Sequence, residues 1–380
     1  MADLTAPADE ISILRQKADA TQLPGLTRDR VATQIDRLAR LTGSDYTMEA
    51  DRTSRWVDWI VSLPWDARAA DHLDLTTAKQ ILDKHHHGLE EVKTRLLEYL
   101  SVLKLKQSVR VAGEGVPVER PQSVNVETRT SDGDRTRQDQ NRNQFRAPIL
   151  LLVGLVGTGK TTLAYSIAEA LGRPLVRIPF GGMGSARDLR GQSRLHLEAE
   201  PGHVVKALRQ VKVKNPVMLL DELDRVADLA RHDIMGVLVE LLDPEQNRAF
   251  LDHYLDVPFD LSEVFFIATA NNTGNVATAV MDRMEPISMP AYTDDDKITI
   301  AKKYLLPRAA AEAGLPEGSL IIDPDVWPLV VRPLGYDAGI RTLQRTIQSL
   351  VRQTALNLVT GGHQVLHLTT ANFRQYISAW

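Results

Sequence analysis

The chain has 380 residues, 43% hydrophobic and 25% charged, with a formal net charge of −4 and no cysteine. That gives room for two or three domains with buried cores, excludes disulfides, thiolate metal sites and thiol catalysis, and leaves no global basic field for nucleic acid or a membrane surface. The N-terminus has no basic region followed by a long apolar run, and the longest apolar runs, 149–153 and 264–268, fall far short of the ~20 residues of a bilayer span, so no membrane contact and a cytoplasmic location are expected.

Residues 1–106 read as a helical N-terminal segment. Within 28–41, Val31, Ile35, Leu38 and Leu41 recur at helical spacing, and in RTSRWVDWIVSLPW the residues Trp56, Trp59 and Ile60 share a face before Pro64 stops the helix. Thr76 is the expected cap of a third helix, which restarts near Gly88 with Leu89, Val92, Leu96 and Tyr99 on one face. Trp56, Trp59 and Trp65 are expected as packing anchors. His85-His86-His87 is not expected to hold a metal, because consecutive helical residues point about 100° apart. From 107 to 146 the sequence turns polar and rich in Arg, Asp, Asn and Gln, which reads as a disordered linker or insertion. Its arginines invite a nucleic-acid reading, but a solvated linker fits the composition better.

Order resumes at 147. ILLLVG, PLVRIP, PVMLLD and VFFIAT read as buried parallel strands separated by helical stretches, which makes 147–290 an α/β domain. Over 291–380, TDDDKITIAKKYLLPRAAAEAG and AGIRTLQRTIQSLVRQTALNLVTGG are amphipathic helices, and 364–368 is a short strand; this is a small α-helical lid domain.

The chemistry concentrates in 147–290. Gly154-Leu155-Val156-Gly157-Thr158-Gly159-Lys160-Thr161 follows a strand and opens a helix that continues with Thr162. Glycines let backbone N–H groups turn inward around a phosphate chain, and the helix N-terminus adds partial positive charge. Lys160 is expected on the β/γ-phosphates of ATP and the Thr161 hydroxyl on Mg²⁺. A second buried run ends in Asp221-Glu222, where the side chains leave the carboxyl end of a strand, the usual ligand edge of such sheets. Asp221 is expected to hold the Mg²⁺ shell and Glu222 to polarise the attacking water. Asn271, after a further strand, faces either the γ-phosphate or that water. Arg283 sits in a helix-to-strand connection from which it would reach an adjacent subunit's phosphate, and Arg341 opens a lid helix toward the γ-phosphate.

These residues carry a specific resemblance. RWVDWIVSLPW, ILDKHHHGLEEVKTRLLEYLSV, VKNPVMLLDELDRV, LVELLDPEQNRAFLDHYLDVPFDLSEVFFIATANN, MDRMEPI and YDAGIRTLQR resemble, in order, the ATPase region of the Lon proteases, from about Thr53 to the C-terminus. The resemblance implies an AAA+ P-loop NTPase with a parallel five-stranded sheet, preceded by helices and followed by the lid. It makes Lys160 and Thr161 part of Walker A, Asp221 and Glu222 Walker B, Asn271 sensor 1, Arg283 the arginine finger and Arg341 sensor 2. It further implies a homo-oligomeric, hexameric ring that threads protein or peptide substrates through a central pore. Three departures stand out. The chain ends where the family's Ser–Lys peptidase domain would begin, so proteolysis is expected to need a peptidase partner or a further domain. In the stretch 194–202, His196 takes the place of a family Tyr, and Glu198 and Glu200 add negative charge. Leu155 and Val156 stand where the family usually has prolines. Competing readings are an adaptor or regulatory subunit, favoured by the altered loop and opposed by Glu222, and a DNA-acting motor, weakened by the net negative charge.

Overall fold

The computed structural model describes residues 7–113, 149–196, 198–332, 339–361 and 365–377. Three helices come first, α1 (Pro7–Asp19), α2 (Gly25–Leu38) and α3 (Gly43–Val61). On α2, Val31, Ile35 and Leu38 form the buried stripe that their spacing implies, while Leu41 lies beyond the helix end. On α3, Trp56 and Ile60 are fully buried and Trp59 is half-buried beneath the Arg209 guanidinium, 4.0 Å from its ring centroid. Helix α4 (Leu75–His85) is capped by Asp74 rather than Thr76: the Asp74 carboxylate accepts from the Thr77 backbone N–H at 2.9 Å, which puts Thr76 inside the first turn. Gly88 and Leu89 then take left-handed backbone conformations before α5 (Glu90–Gly113). This helix runs past residue 107, where the composition changes. The remainder of the polar stretch, 114–146, lies outside the described residues, as do 147 and 148.

Strands β1 (Ile149–Val153), β2 (Leu175–Pro179) and β3 (Val217–Asp221) are followed by a small antiparallel pair, β4 (Phe250–Leu251) and β5 (Pro258–Phe259), and then by β6 (Phe265–Ala270) and β7 (Met284–Ser288). The five-stranded sheet has the order β2-β3-β6-β1-β7 and every pairing in it is parallel. Both faces of the three inner strands are covered, so β1, β3 and β6 are almost wholly apolar, whereas the edge strands β2 and β7 carry Arg177 and Glu285. The two-residue period sends alternate side chains to different cores. Leu150, Leu152, Leu219 and Ile267 pack with Leu82, Leu96 and with Leu163 of α6 (Lys160–Leu171). Leu151, Met218, Leu220 and Phe266 face the other way, toward α7 (Arg187–Arg190), α8 (His203–Val211) and α9 (Arg231–Leu242), in a core shared with Ile35 and Trp56. The indole N–H of Trp56 donates to Leu255 O at 2.9 Å, so the tryptophan joins the helical segment to the α/β layer. Residues 66–72 complete the join as a strap: Asn215 bonds both the N–H and the O of Ala69, and Arg173 pairs with both carboxylate oxygens of Asp71 at 2.6 and 2.8 Å.

The short α10 (Thr278–Met281) leads into β7, after which the lid begins. Its elements are α11 (Asp294–Ile300), a π-helical turn (Ala301–Leu305), α12 (Leu306–Glu312), β8 (Leu320–Ile322), α13 (Trp327–Val331), α14 (Arg341–Gly361), β9 (Leu366–Leu368) and α15 (Phe373–Tyr376), gathered on a separate core around Trp327, Leu343, Ile347 and Leu350. The π turn has a local cause: Pro307 has no N–H to give and its ring crowds the preceding turn, which the wider helix relieves. Among the described residues no helix is long and apolar enough to cross a membrane.

Candidate nucleotide site

The loop Gly154–Gly159 leaves the carboxyl end of β1 and enters α6. Gly157 and Gly159 have φ of +85° and +89°, conformations that side chains resist. Gly154 is there for space, since a Cβ on it would lie 2.7 Å from the Met289 backbone oxygen. Lys160 is only 9% exposed and folds back over the loop, its ammonium donating to Gly154 O at 2.6 Å, Leu155 O at 3.0 Å and Asn271 Oδ1 at 3.1 Å. Burial pulls its pKa below the ordinary lysine value, opposed by the charges of Asp224 and Asp221. Thr158 is buried, with its hydroxyl on Leu155 O at 2.9 Å, whereas Leu155 and Val156 stand exposed. Thr161 and Thr162 sit in the first turn of α6, Thr161 half-buried and Thr162 exposed.

Asp221 ends β3 almost wholly buried. One of its carboxylate oxygens accepts from the Thr269 hydroxyl, the other from Arg177 Nε at 2.6 Å. The same Thr269 oxygen accepts from the Glu222 backbone N–H at 2.9 Å. Glu222 is held in the left-handed region, φ +62° and ψ +51°, which costs a non-glycine residue on the order of 1 kcal/mol or more. Its carboxylate lies over Gly181, where a Cβ would come within 2.9 Å, and 3.3 Å from Arg225. Two residues on, Asp224 is buried and accepts from the backbone N–H and side-chain amide of Asn271. The loop after β1 and the acids after β3 therefore meet through Asn271.

The two arginines lie in different places. Arg341 reaches the loop: a Cβ on Gly157 would stand 3.3 Å from Arg341 Cγ, and the Ile340 N–H donates to Gly157 O at 3.1 Å. Gly339 comes so close that a Cβ on it would be 2.4 Å from Val156 O. Arg283 directly precedes β7, whose first residue pairs with Ile149 at the start of β1. It is thus at the opposite end of the sheet from the phosphate loop, roughly 13 Å of strand away. There its guanidinium donates to Ala279 O at 2.7 Å and Asp243 Oδ2 at 3.1 Å.

Loop 192–201 projects from the α/β layer. His196, Glu198 and Glu200 are exposed and Leu195 is 85% exposed, while Arg194 turns back onto the Trp56 ring at 4.3 Å; Leu197 lies outside the described residues. The root of the loop is pinned. Gly191 and Gly202 both abut the buried Asp252 carboxylate, which accepts from Gly202 N at 2.8 Å, and Gln192 N donates to Glu200 O at 3.1 Å. The three consecutive histidines divide between two partners: His85 and His86 both bond Ser166 Oγ, at 3.1 and 2.9 Å, and His87 pairs with Asp296 at 3.5 Å. His86 is buried against α6, and that burial pushes its pKa down to about 4.

Reading the sequence singled out neither Arg177, Asp224 nor Thr269. Each carries a signal in hindsight: Arg177 is the one charge in LVRIP, Thr269 the one hydroxyl in FFIATA, and Asp224 the third acid of DELD.

The parallel sheet with a glycine loop leading into α6 defines a nucleotide-binding module, and residues 150–290 match the family described as ATPase family associated with various cellular activities (AAA). The chain is 41% identical over 368 residues to Lon protease 2 of Thermus thermophilus, covering 97% of this chain and 42% of that protein. It is 36% identical over 357 residues to the Lon protease of Clostridioides difficile (94% and 40%) and 38% identical over 375 residues to that of Lawsonia intracellularis (99% and 40%). The chain thus carries an AAA module and is similar to the AAA-bearing part of Lon proteases, spanning about 40% of the length of the curated relatives it matches.

Proposed function

We propose that this chain hydrolyses ATP in a Mg²⁺-dependent reaction and uses the hydrolysis to unfold or remodel protein substrates, in the service of ATP-dependent protein degradation. The observation that carries this reading is the convergence of Lys160, Asn271, Asp221 and Glu222 at the carboxyl end of one sheet, with Lys160 Nζ 3.1 Å from Asn271 Oδ1. The residues fit a magnesium–triphosphate. Lys160, Arg341 and the loop N–H groups supply donors for the phosphates, and Thr161 and Asp221 supply oxygens for the metal. A Mg²⁺ held there would take most of its ligands from phosphate and water. Bound there, Mg²⁺ would neutralise charge on the phosphate oxygens.

In this reading Glu222 accepts a proton from the attacking water, whose oxygen bonds to the γ-phosphorus as the bond to the β-phosphate oxygen breaks and ADP leaves. Asn271 and Arg341 border the same space. Arg283, at the far end of the sheet, serves the nucleotide of a neighbouring copy, which calls for a ring, hexameric as in the family resemblance. The loop 192–201 faces the threaded protein. The test is phosphate release with and without Mg²⁺, in wild type and Glu222→Gln. The variant should bind ATP while hydrolysis falls at least about tenfold. Equal turnover in the two proteins overturns the role of Glu222, and native mass showing only monomers overturns the ring.

A further inference from the structure

We propose that Asp224 is a positioning residue that fixes the side-chain amide of Asn271 with its oxygen toward the phosphate loop, and so makes Asn271 an acceptor for the attacking water. This rests on the nucleotide-site reading above. Asp224 is 7% exposed and its carboxylate spans the gap between the ends of β3 and β6. Oδ1 accepts from the Asn271 backbone N–H at 3.0 Å, and Oδ2 from Asn271 Nδ2 at 3.3 Å and Asn272 Nδ2 at 3.5 Å. Its backbone carbonyl accepts from Asn275 Nδ2 at 3.1 Å, which holds the turn after β3 to the turn after β6.

The polarity of this chain of contacts is dictated at both ends. A carboxylate has only acceptors, so the amide must turn its nitrogen to Asp224. An ammonium has only donors, so the amide oxygen must be what meets Lys160 Nζ at 3.1 Å. The orientation therefore follows from chemistry and does not depend on telling amide nitrogen from oxygen. Phosphate oxygens are acceptors, and an amide oxygen presented to them makes no hydrogen bond. A water O–H is a donor and does. Of the two partners the sequence leaves open for Asn271, Asp224 selects the water.

The experiment compares Asp224→Asn, Asn271→Asp and the double swap by steady-state kinetics of Mg-ATP hydrolysis. Asp224→Asn lets the pair invert, so kcat should fall about tenfold or more, with KM for ATP shifted less than about threefold. Asn271→Asp sets two carboxylates side by side and should be at least as slow. The double variant restores a donor opposite a carboxylate, with an oxygen still facing Lys160, and should regain most of the lost kcat. Unchanged kcat in Asp224→Asn, or a swap that recovers nothing, overturns the proposal. A role in stability alone would lower the melting temperature and leave kcat per folded molecule intact. NMR of the nucleotide-free wild type supplies an arm independent of catalysis and of variant folding. One Asn271 Nδ2 proton should lie downfield of exposed asparagines and exchange slowly. Averaged, freely exchanging Nδ2 protons overturn the proposal. If wild type hydrolyses no ATP, the functional reading fails and this signal still decides the positioning of Asn271.

Discussion

The carboxyl end of the sheet and the loop 192–201 solve opposite problems with the same materials. At the carboxyl end of the sheet, the buried Asp221, Asp224, Thr269 and Lys160 and the half-buried Asn271 have their polar atoms tied to one another and to loop carbonyls. In the loop, Leu195, His196, Glu198 and Glu200 face outward and only the root is fixed, by Asp252 between Gly191 and Gly202. Burial raises the pKa of Asp252, and hydrogen bonds from the N–H groups of Gly202, Leu255 and Tyr254 oppose that rise. In the proposed function the sheet end carries the reaction, which tolerates little misplacement and so has its groups held by buried polar contacts, while the loop meets many sequences, needs reach, and is held only at its base.

The comparison breaks most visibly at Arg283, which belongs to neither region of its own chain. Arg283→Ala should cut turnover about 10³-fold with ATP affinity nearly unchanged. Mixing it with Lys160→Ala protein should restore some turnover, and full activity of the single variant at any concentration contradicts action in trans. Next in size is the root of the loop. A Cβ at Gly202 would lie 2.0 Å from Leu189 O, a backbone atom that cannot step aside. Gly202→Ala should cost about 3 kcal/mol in urea unfolding. Gly236→Ala, at an exposed site in α9 with nothing within 4 Å, should instead gain up to about 1 kcal/mol; similar effects at the two glycines would deny that the root is tightly fixed.

Acid should loosen the nucleotide end first through His86. Its folded pKa of about 4 lies below the ordinary 6.5, so the unfolded chain takes up the proton first. Stability from this group is present above pH 6.5 and lost as pH falls toward 4, by on the order of 3 kcal/mol. His86→Gln should flatten that part of the stability–pH curve, and an unchanged slope contradicts the assignment. The smallest effect belongs to the loop tip. His196→Tyr adds apolar contact area and should tighten binding of an unfolded protein a few-fold, about 1 kcal/mol or less; weaker binding would mean that the tip does not grip.

What the sequence made legible follows from locality. The phosphate loop and the acids after β3 are short segments whose flanking strand and helix can be read beside them. The partners of Asp224 lie 47 residues away, and nothing in DELD says which acid will face Asn271. Helix α4 is capped at Asp74 and not at Thr76, two residues on, because the backbone turns from extended to helical at Asp74, an angle that residue type alone does not reveal. Helix α5 extends to Gly113, beyond the change in composition at 107, because composition marks where a core ends and a helix can outrun its core.

The contact of Ile340 N–H with Gly157 O gives the lid a mechanical character. Helix α14 starts one residue beyond that hydrogen bond and continues for 21 residues, roughly 31 Å at 1.5 Å per residue. It is a lever whose short arm rests on the phosphate loop. A tilt of about 5° at the fulcrum carries the far end through nearly 3 Å, enough to change which atoms it touches. Motion too slight to see at the loop thus becomes displacement at the rim of the molecule, where Leu356 and Val359 stand exposed.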